Sequence, residues 1–306
     1  MSYTSDVKEE LSRIELDCDG CVRAQLAALV RIMGSLGISQ GHPHLKITTE
    51  TSTVARAIIN LLHSSCVNLK TELTIRRSVL HKSHNFLITV PYQAGLDAAL
   101  KNLGILGDGG FESGIRYGLV AKDCCAASYL RGAFLAGGYV ADPRGDFHFE
   151  LSCASFAMAQ GLVKIMVRFG INARCVQRHN TYVVYLKGAE DILRFLAKVG
   201  AHQSALKLEE HRLLKSVRND TNRRVNAEIA NAKKTTRAAE EQVAAIRRLV
   251  EKCGIEAIPR SLQEVCLLRL KHPEASIKEL GEYADPPLSK SAVYHRIRRI
   301  NEMIKE

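Results

Sequence analysis

Three groups of residues have the types and spacing to do chemistry. Cys18-Asp-Gly-Cys21 spaces two thiols as half of a tetrahedral zinc site. A structural site needs four ligands, and no second CxxC or HxxxH completes it, so no metal or other cofactor is expected. A second group clusters at the C-terminus, where Lys290, Ser291, Tyr294, His295, Arg298 and Arg299 share one face of a helical pattern. Arg296 on the same segment, Ser289 before it, and Ser276 and Lys278 just upstream extend that set. Such a mixture contacts phosphates and donates hydrogen bonds to base edges in a major groove. The third group, Lys70, Arg76, Arg77, Lys82, Arg174 and Arg178, lies on or beside strand-like segments. It offers accessory DNA contacts, or is simply the solvent face of half-buried antiparallel sheets.

The elements that must position the C-terminal group are clearly punctuated. Leu262 to Leu270 has helical apolar spacing and stops before Pro273. Ser276 caps a short helix from Ile277 to Ala284, with Glu279 completing a capping box. Asp285-Pro286-Pro287-Leu288 forbids continuation, because proline lacks a donor N–H and restricts its predecessor. Ser289 then caps Lys290 to Ile304, whose stripe of Val293, Ile297, Ile300 and Ile304 packs on the two preceding helices. Short helices, a tight turn and a basic third helix together predict a helix-turn-helix that reads double-stranded DNA.

The front of the chain is duplicated. Gln25-Leu-Ala-Ala-Leu-Val-Arg-Ile-Met-Gly34 aligns with Tyr129-Leu-Arg-Gly-Ala-Phe-Leu-Ala-Gly-Gly138 at an offset of 104 positions. Each is a small-residue-rich helix pattern followed by a glycine turn and an alternating strand, at His44 to Thr48 and at Phe147 to Leu151. Helical spacing returns at Val54 to Leu62 and Phe156 to Phe169. Strand patterns follow at Leu69 to Ile75, Phe86 to Val90, Ala173 to Val176 and Tyr182 to Leu186, with closing helices at Leu96 to Leu103 and Ile192 to Val199. Two αββαββα repeats, about 21–106 and 125–201, joined at Gly107-Asp-Gly-Gly110, make an α+β domain over 21–201 behind an N-terminal helix in 1–20. A charged helical linker, 202–254, interrupted around Asn219 to Arg224, leads to a small all-α domain at 255–306.

Totals agree with this division. With 306 residues the chain exceeds one comfortable core, and its 46% hydrophobic and 25% charged composition is that of a globular protein. No apolar run is long enough to span a bilayer, and the first residues lead straight into a helix pattern rather than a signal peptide, so no membrane association and a cytoplasmic, nucleoid-associated location are expected. The nine cysteines then read as reduced hydrophobic fillers. The net charge of +11 suits a protein that meets a polyanion, and 202–306 holds 21 basic against 15 acidic residues, the denser positive region.

At Ser5-Asp-Val-Lys-Glu-Glu-Leu11, Tyr129 to Gly138, Asn231-Ala-Lys-Lys-Thr235 and Leu280 to Arg296 the chain resembles the WhiA family of bacterial regulators. The resemblance covers essentially the whole chain. It implies a domain derived from LAGLIDADG homing endonucleases, followed by a helix-turn-helix related to sigma-factor region four. It also implies a role in transcription linked to cell division, chromosome segregation and, in sporulating relatives, sporulation. LAGLIDADG enzymes place one acid at the end of each of two packed helices to bind the divalent cations that activate water. Asp142 stands as the vestigial acid of the second repeat, Ile38 lies opposite it, and no Asp or Glu occurs from Cys21 to Thr49. Cleavage chemistry is therefore expected to be absent, and the chain is not expected to be an enzyme.

Rival readings are an active endonuclease, which fails this carboxylate count, and a protein-binding adaptor docking to RNA polymerase or a second regulator through the first domain. RNA binding lacks an RRM-like aromatic strand motif in a chain only 6% aromatic.

Overall fold

Ser2 opens the first helix by accepting the Ser5 N–H, and α1 (Tyr3–Ser12) then buries Tyr3, Val7 and Leu11 at four-residue spacing. The computed structural model describes residues 2–39, 42–77, 84–107 and 109–305. The first repeat runs α2 (Asp19–Met33), β1 (Gly34–Ser39), β2 (His42–Thr49), α3 (Ser52–His63), β3 (Glu72–Arg77), β4 (His84–Val90) and α4 (Leu96–Asn102). The joint at Gly107 to Gly110 is a hairpin of β5 (Leu106–Gly107) and β6 (Gly110–Phe111), followed by the short α5 (Tyr117–Val120). The second repeat follows as α6 (Asp123–Gly137), β7 (Gly138–Val140), β8 (Phe149–Cys153), α7 (Phe156–Arg168), β9 (Arg174–Arg178), β10 (Thr181–Leu186) and α8 (Ala189–Val199). Both halves have the αββαββα order that the repeat predicts.

Each repeat builds one antiparallel sheet, ordered β1-β2-β4-β3 and β7-β8-β10-β9. Alternation decides which face is buried. Leu45, Ile47 and Thr49 of β2, and Phe149, Leu151 and Cys153 of β8, turn inward. Phe149 stacks on Phe134 and packs on Phe195, tying sheet to α6 and α8.

The helix pair α2 and α6 forms the centre of this core. A Cβ on Gly132 would sit 2.3 Å from the Gln25 carbonyl oxygen and 3.0 Å from the Ala28 Cβ, so glycine is what lets the two backbones approach. Ala28 and Gly132 are repeat equivalents, 104 positions apart. The buried Arg131 spans the same seam, donating to the Val199 carbonyl at 2.7 Å and to Gln25 Oε1 at 3.3 Å. Burial pulls its guanidinium pKa down, and these acceptors compensate part of that cost.

Helix α9 (His202–Cys253) runs 52 residues without interruption. The break expected around Asn219 to Arg224 does not occur. Thr221 Oγ1 donates back to the Val217 carbonyl, and Asp220–Arg223 and Arg224–Glu228 pairs span successive turns, so the polar run is accommodated on a solvated helix. The start of α9 is fixed by α1: Glu10 accepts from the backbone N–H groups of Gln203 and Ser204, and Tyr3 donates to the Ser204 carbonyl at 2.6 Å. The chain divides into two compact units, Met1–Lys215 and Ser216–Glu306. The second contains the rest of α9, then α10 (Arg260–Lys271), α11 (Ile277–Glu282) and α12 (Lys290–Lys305) around its own core of Ile246, Leu249, Leu262, Val265, Leu280, Val293, Ile297 and Ile300. Among the described residues no helix is long and apolar enough to cross a membrane.

Replacing Gly132 by alanine tests the central seam. Helix propensity favours the change by about 1 kcal/mol, but the added methyl meets a backbone carbonyl that cannot rotate away, and overpacking costs about 1–3 kcal/mol. The expected result is a lower thermal midpoint for the first unit in calorimetry. An unchanged or raised midpoint would show that the helices can part.

Candidate nucleic-acid interface

Helix α11 is set by its capping box: Ser276 Oγ accepts the Glu279 N–H at 3.2 Å, while the Glu279 carboxylate accepts the Ser276 N–H at 2.7 Å. These bonds hold the Glu279 carboxyl below the usual range. The turn after α11 closes on Gly281, whose carbonyl accepts the Leu288 N–H at 2.8 Å. A Cβ on Gly281 would lie 2.3 Å from the Leu288 carbonyl oxygen, so the encoded turn requires glycine there. Ser289 Oγ then caps α12 by accepting the Ala292 N–H at 3.2 Å.

On α12, Val293, Ile297 and Ile300 face the core of the unit. Ile304 belongs to the same predicted stripe, but its side chain lies outside the described residues. Lys290, Ser291, Tyr294, His295, Arg298 and Arg299 are all exposed. Arg298 is engaged by Glu302 at 3.1 Å, one turn away, and Lys278 of α11 by Glu282 at 3.6 Å, pairs weak enough at the surface to be exchanged for phosphate.

Arg296 departs from the expectation that it contacts DNA. Its side chain is only 27% exposed and donates to Glu264 of α10 at 3.1 Å. Glu264 also accepts the Asp285 N–H at 3.1 Å, so this arginine fastens α12 to α10 and to the proline turn. Residue 296 lies three positions from Val293 and one from Ile297, which rotates it toward the packed side. Likewise the Ser276 and Ser289 hydroxyls serve as caps, which leaves backbone donors as the contribution of these helix starts to an anion.

Sequence reasoning missed the neighbours of this surface. A cavity of about 330 Å³ is lined by Lys234, Thr235 and Gln242 of α9, Arg269 of α10, and Ser276, Lys278 and Lys290. Four cations and no carboxylate face it. Arg269 is 1% exposed, its Nε has no partner among the described residues, and its Nη1 donates to the Ala275 carbonyl. Gln242 Oε1 is also unpartnered. Lys234 and Thr235 belong to the Asn231 to Thr235 motif, the signal that singled out this stretch without revealing its role.

The basic residues of the first unit are dispersed. Arg76 is exposed on β3 and Arg174 on β9, each at a sheet edge, and Arg77 ends β3. Lys70 precedes β3, its backbone clasped by Gln93 through two 2.9 Å bonds. Arg178 is taken up by Glu150 at 2.7 Å. Lys82 lies outside the described residues.

The ends of the central helices carry no acids. Helix α2 finishes at Met33 and α6 at Gly137. Their only carboxylates, Asp19 and Asp123, stand at the opposite ends. Asp142 lies beyond β7 rather than at the end of α6, and it is held by Arg144 at 2.6 Å and by the Arg144 N–H at 3.0 Å, which press its carboxyl far below the usual range. Ile38 is 79% exposed on β1. Asp142 thus closes a turn, as a short acid before Pro143 does.

The sequence offered no second spaced pair for Cys18 and Cys21. The thiols of Cys18 and Cys21 do have a complement: Cys124 and Cys125, at the start of α6, bring all four sulfurs within 4.8 Å of one another. The backbone N–H groups of Cys21 and Gly20 hold the Cys18 thiol down at about 7, whereas burial pushes Cys21 and Cys125 up.

A duplicated αββαββα domain on two central helices, continued by a long helix into a capped helix-turn-helix, defines a LAGLIDADG-like protein with a helix-turn-helix C-terminal domain. Residues 19–106 match the WhiA N-terminal LAGLIDADG-like domain, residues 126–218 the WhiA LAGLIDADG-like domain, and residues 221–304 the WhiA C-terminal HTH domain. The chain belongs to the WhiA family. The probable cell division protein WhiA of Desulforamulus reducens is 43% identical, covering 100% of this chain and 96% of that protein. Its namesake in Halothermothrix orenii is 38% identical, over 100% and 98%. The crystal structure of full-length DUF199/WhiA from Thermatoga maritima aligns with a TM-score of 0.62 at 25% identity, covering 100% of this chain and 98% of that one. The divalent metal of the LAGLIDADG nucleases does not fit these helix ends, since Met33 and Gly137 supply no ligand.

Replacing Arg296 by alanine should lower the stability of the C-terminal unit by about 1 kcal/mol, the scale of a partly exposed pair, while leaving DNA-site preference as it was at temperatures where the unit is folded. Denaturation and binding selection on the same full-length variant check both halves; altered preference with unchanged stability would return Arg296 to the reading face.

Proposed function

We propose that this chain is a DNA-binding regulator that selects its sites through α12 and leaves them uncut. The observation that carries this reading is the α12 face itself: Lys290, Ser291, Tyr294, His295 and Arg299 are exposed together behind a capped α11. Residues at the start of such a helix reach base edges, and cations around it meet phosphates. The cationic cavity beside the starts of α11 and α12 offers a seat for a backbone phosphate, with Lys234, Lys278 and Lys290 neutralising its charge.

The helix ends support the absence of cutting. Two-metal or single-metal cleavage needs carboxylates where the cation sits, and neither Met33 nor Gly137 provides one. The relatives' name, probable cell division protein, links the reading to cell division; chromosome segregation is part of the proposal as an implication of the family resemblance. An accessory DNA contact through Arg76 and Arg174 is part of the proposal, as is a nucleoid-associated location.

A second reading is an adaptor that contacts RNA polymerase or another regulator through the first domain. It is favoured by Leu73 and Ile75, which stand exposed on the edge strand β3 and leave a pairing edge open.

The test is binding of the full-length protein and its variants to genomic DNA fragments across a salt series with magnesium present. Ser291→Ala and His295→Ala should each cost about 1–3 kcal/mol and relax selectivity at a defined base pair, whereas Lys290→Ala should weaken all sequences alike and flatten the salt slope by about one. Uncut, discrete fragments support the proposal. Magnesium-dependent cutting overturns the second half of it, and no DNA affinity even at low salt leaves the adaptor reading in its place.

A further inference from the structure

The four cysteines at the start of the central helices come from both repeats. Cys18 caps α2 and Cys21 lies in its first turn, while Cys124 and Cys125 occupy the first turn of α6. Cys21 and Cys125 are repeat equivalents, at the same offset of 104 that relates the two helices. The sulfur separations are 3.6 Å for Cys18–Cys21, 3.9 Å for Cys18–Cys125, 4.0 Å for Cys21–Cys125 and 3.9 Å for Cys124–Cys125. A tetrahedral ion with sulfur ligands at about 2.3 Å requires sulfurs about 3.8 Å apart along every edge. Four of the six edges are close to that length, and all four sulfurs lie within 4.8 Å of one another.

We propose that Cys18, Cys21, Cys124 and Cys125 form a structural tetrathiolate site for a single soft divalent ion of the zinc class, clamping the N-terminal ends of the two central helices. Ligand chemistry selects the class: four thiolates with no oxygen or imidazole favour zinc over the hard cations used by nucleases. The spacing selects a single ion, because an iron–sulfur cluster interposes its own iron and sulfide atoms and holds its cysteines farther apart. A disulfide would bring one pair to about 2.0 Å, and none of the separations approaches that.

The surroundings fit the charge of such a site. Four thiolates around a divalent ion carry a net double negative charge, and the positive ends of two helix dipoles meet there. Asp19 and Asp123 stand beside the cysteines at equivalent positions of the two helix starts. Gly20 has no side chain because a Cβ there would lie 2.8 Å from the Cys125 sulfur. An entry path exists in a surface cleft of about 300 Å³ lined by Gly20, Arg23, Arg116 and Cys125. Cys18, Cys124 and Cys125 fall outside the stretches that match the family's domain models, so nothing in those matches assigns the site.

The test uses the full-length chain purified with a thiol reductant and without chelator. Elemental analysis is expected to give one zinc per chain. After the zinc is stripped under reducing conditions, cobalt should restore one equivalent with thiolate charge-transfer absorption and tetrahedral visible bands. Removing an outer partner of a metal already weakens binding about 10–100-fold, so Cys18→Ser, Cys124→Ser and Cys125→Ser should each lose at least that much cobalt affinity. Cys253→Ser, in the other unit and away from the cluster, should lose none. Cys18 is only half-buried, so its variant stays interpretable if the buried Cys125→Ser misfolds. The proposal is overturned if the folded wild-type chain holds no stoichiometric metal and gives no tetrahedral cobalt spectrum, if Cys253→Ser loses as much as Cys18→Ser, or if intact mass under non-reducing conditions shows a disulfide within the cluster.

Discussion

The first unit depends on one close approach, that of α6 to α2 at Gly132 and Ala28. Contacts recur along both helices, from Cys21 and Cys125 at one end, through Gln25 and Gly132, to Ile32 and Gly137 at the other. The helices are therefore parallel neighbours, and everything each repeat builds is brought into register by that contact. Small residues are needed because any larger side chain at the seam meets a backbone carbonyl, which has nowhere to go. The sheets, the hairpin joint and Arg131 fill in around a geometry already fixed by the helix pair.

Parallel packing has an electrostatic cost that the sequence answers. Two positive helix ends lie side by side, as do two negative ones, each end carrying roughly half an elementary charge. Asp19 and Asp123 open the two helices at equivalent repeat positions and offset part of the first repulsion. The thiols beside them stand in the same favourable field. In the C-terminal unit the equivalent constraint is the turn at Gly281 and Leu288, which sets where α12 leaves the fold and thereby which of its side chains point outward.

Much of this was legible in local pattern. The duplication showed as an offset repeat of small residues, and the caps showed as serines in context, Ser276 three residues before Glu279 and Ser289 just after Pro286 and Pro287. What escaped depends on distances that sequence spacing does not encode. Cys18 and Cys21 wait for partners more than a hundred positions away, and those partners are adjacent residues rather than a spaced pair, so no motif announces them. Arg296 looks like its neighbours Arg298 and Arg299, and only the rotation of α12 against Glu264 turns it inward. Asp142 before Pro143 reads from sequence as a turn or a helix terminus, and the structure resolves this as a turn, with strand β7 between it and the end of α6. The cationic cavity escaped for the same reason as the cysteines, since Lys234 and Arg269 meet only when α9 is folded beside α10.

The two ends of the central helices can now be compared by the same rule. A carboxylate at the end of α2 and another at the end of α6 would each sit at the negative pole of its helix, and close to each other. At a surface position each such placement costs about 0.3–1 kcal/mol, and the mutual repulsion of two nearby acids adds to it. A nuclease recovers that cost by binding a cation between the acids. With Met33 and Gly137 at these positions no acid stands at either helix end, so that repulsion does not arise there. At the N-terminal ends the balance is reversed: negative groups are welcome, and thiolates there gain from both dipoles at once. The fold thus makes losing the acids favourable at one end of the helix pair, and it makes gathering sulfur ligands favourable at the other.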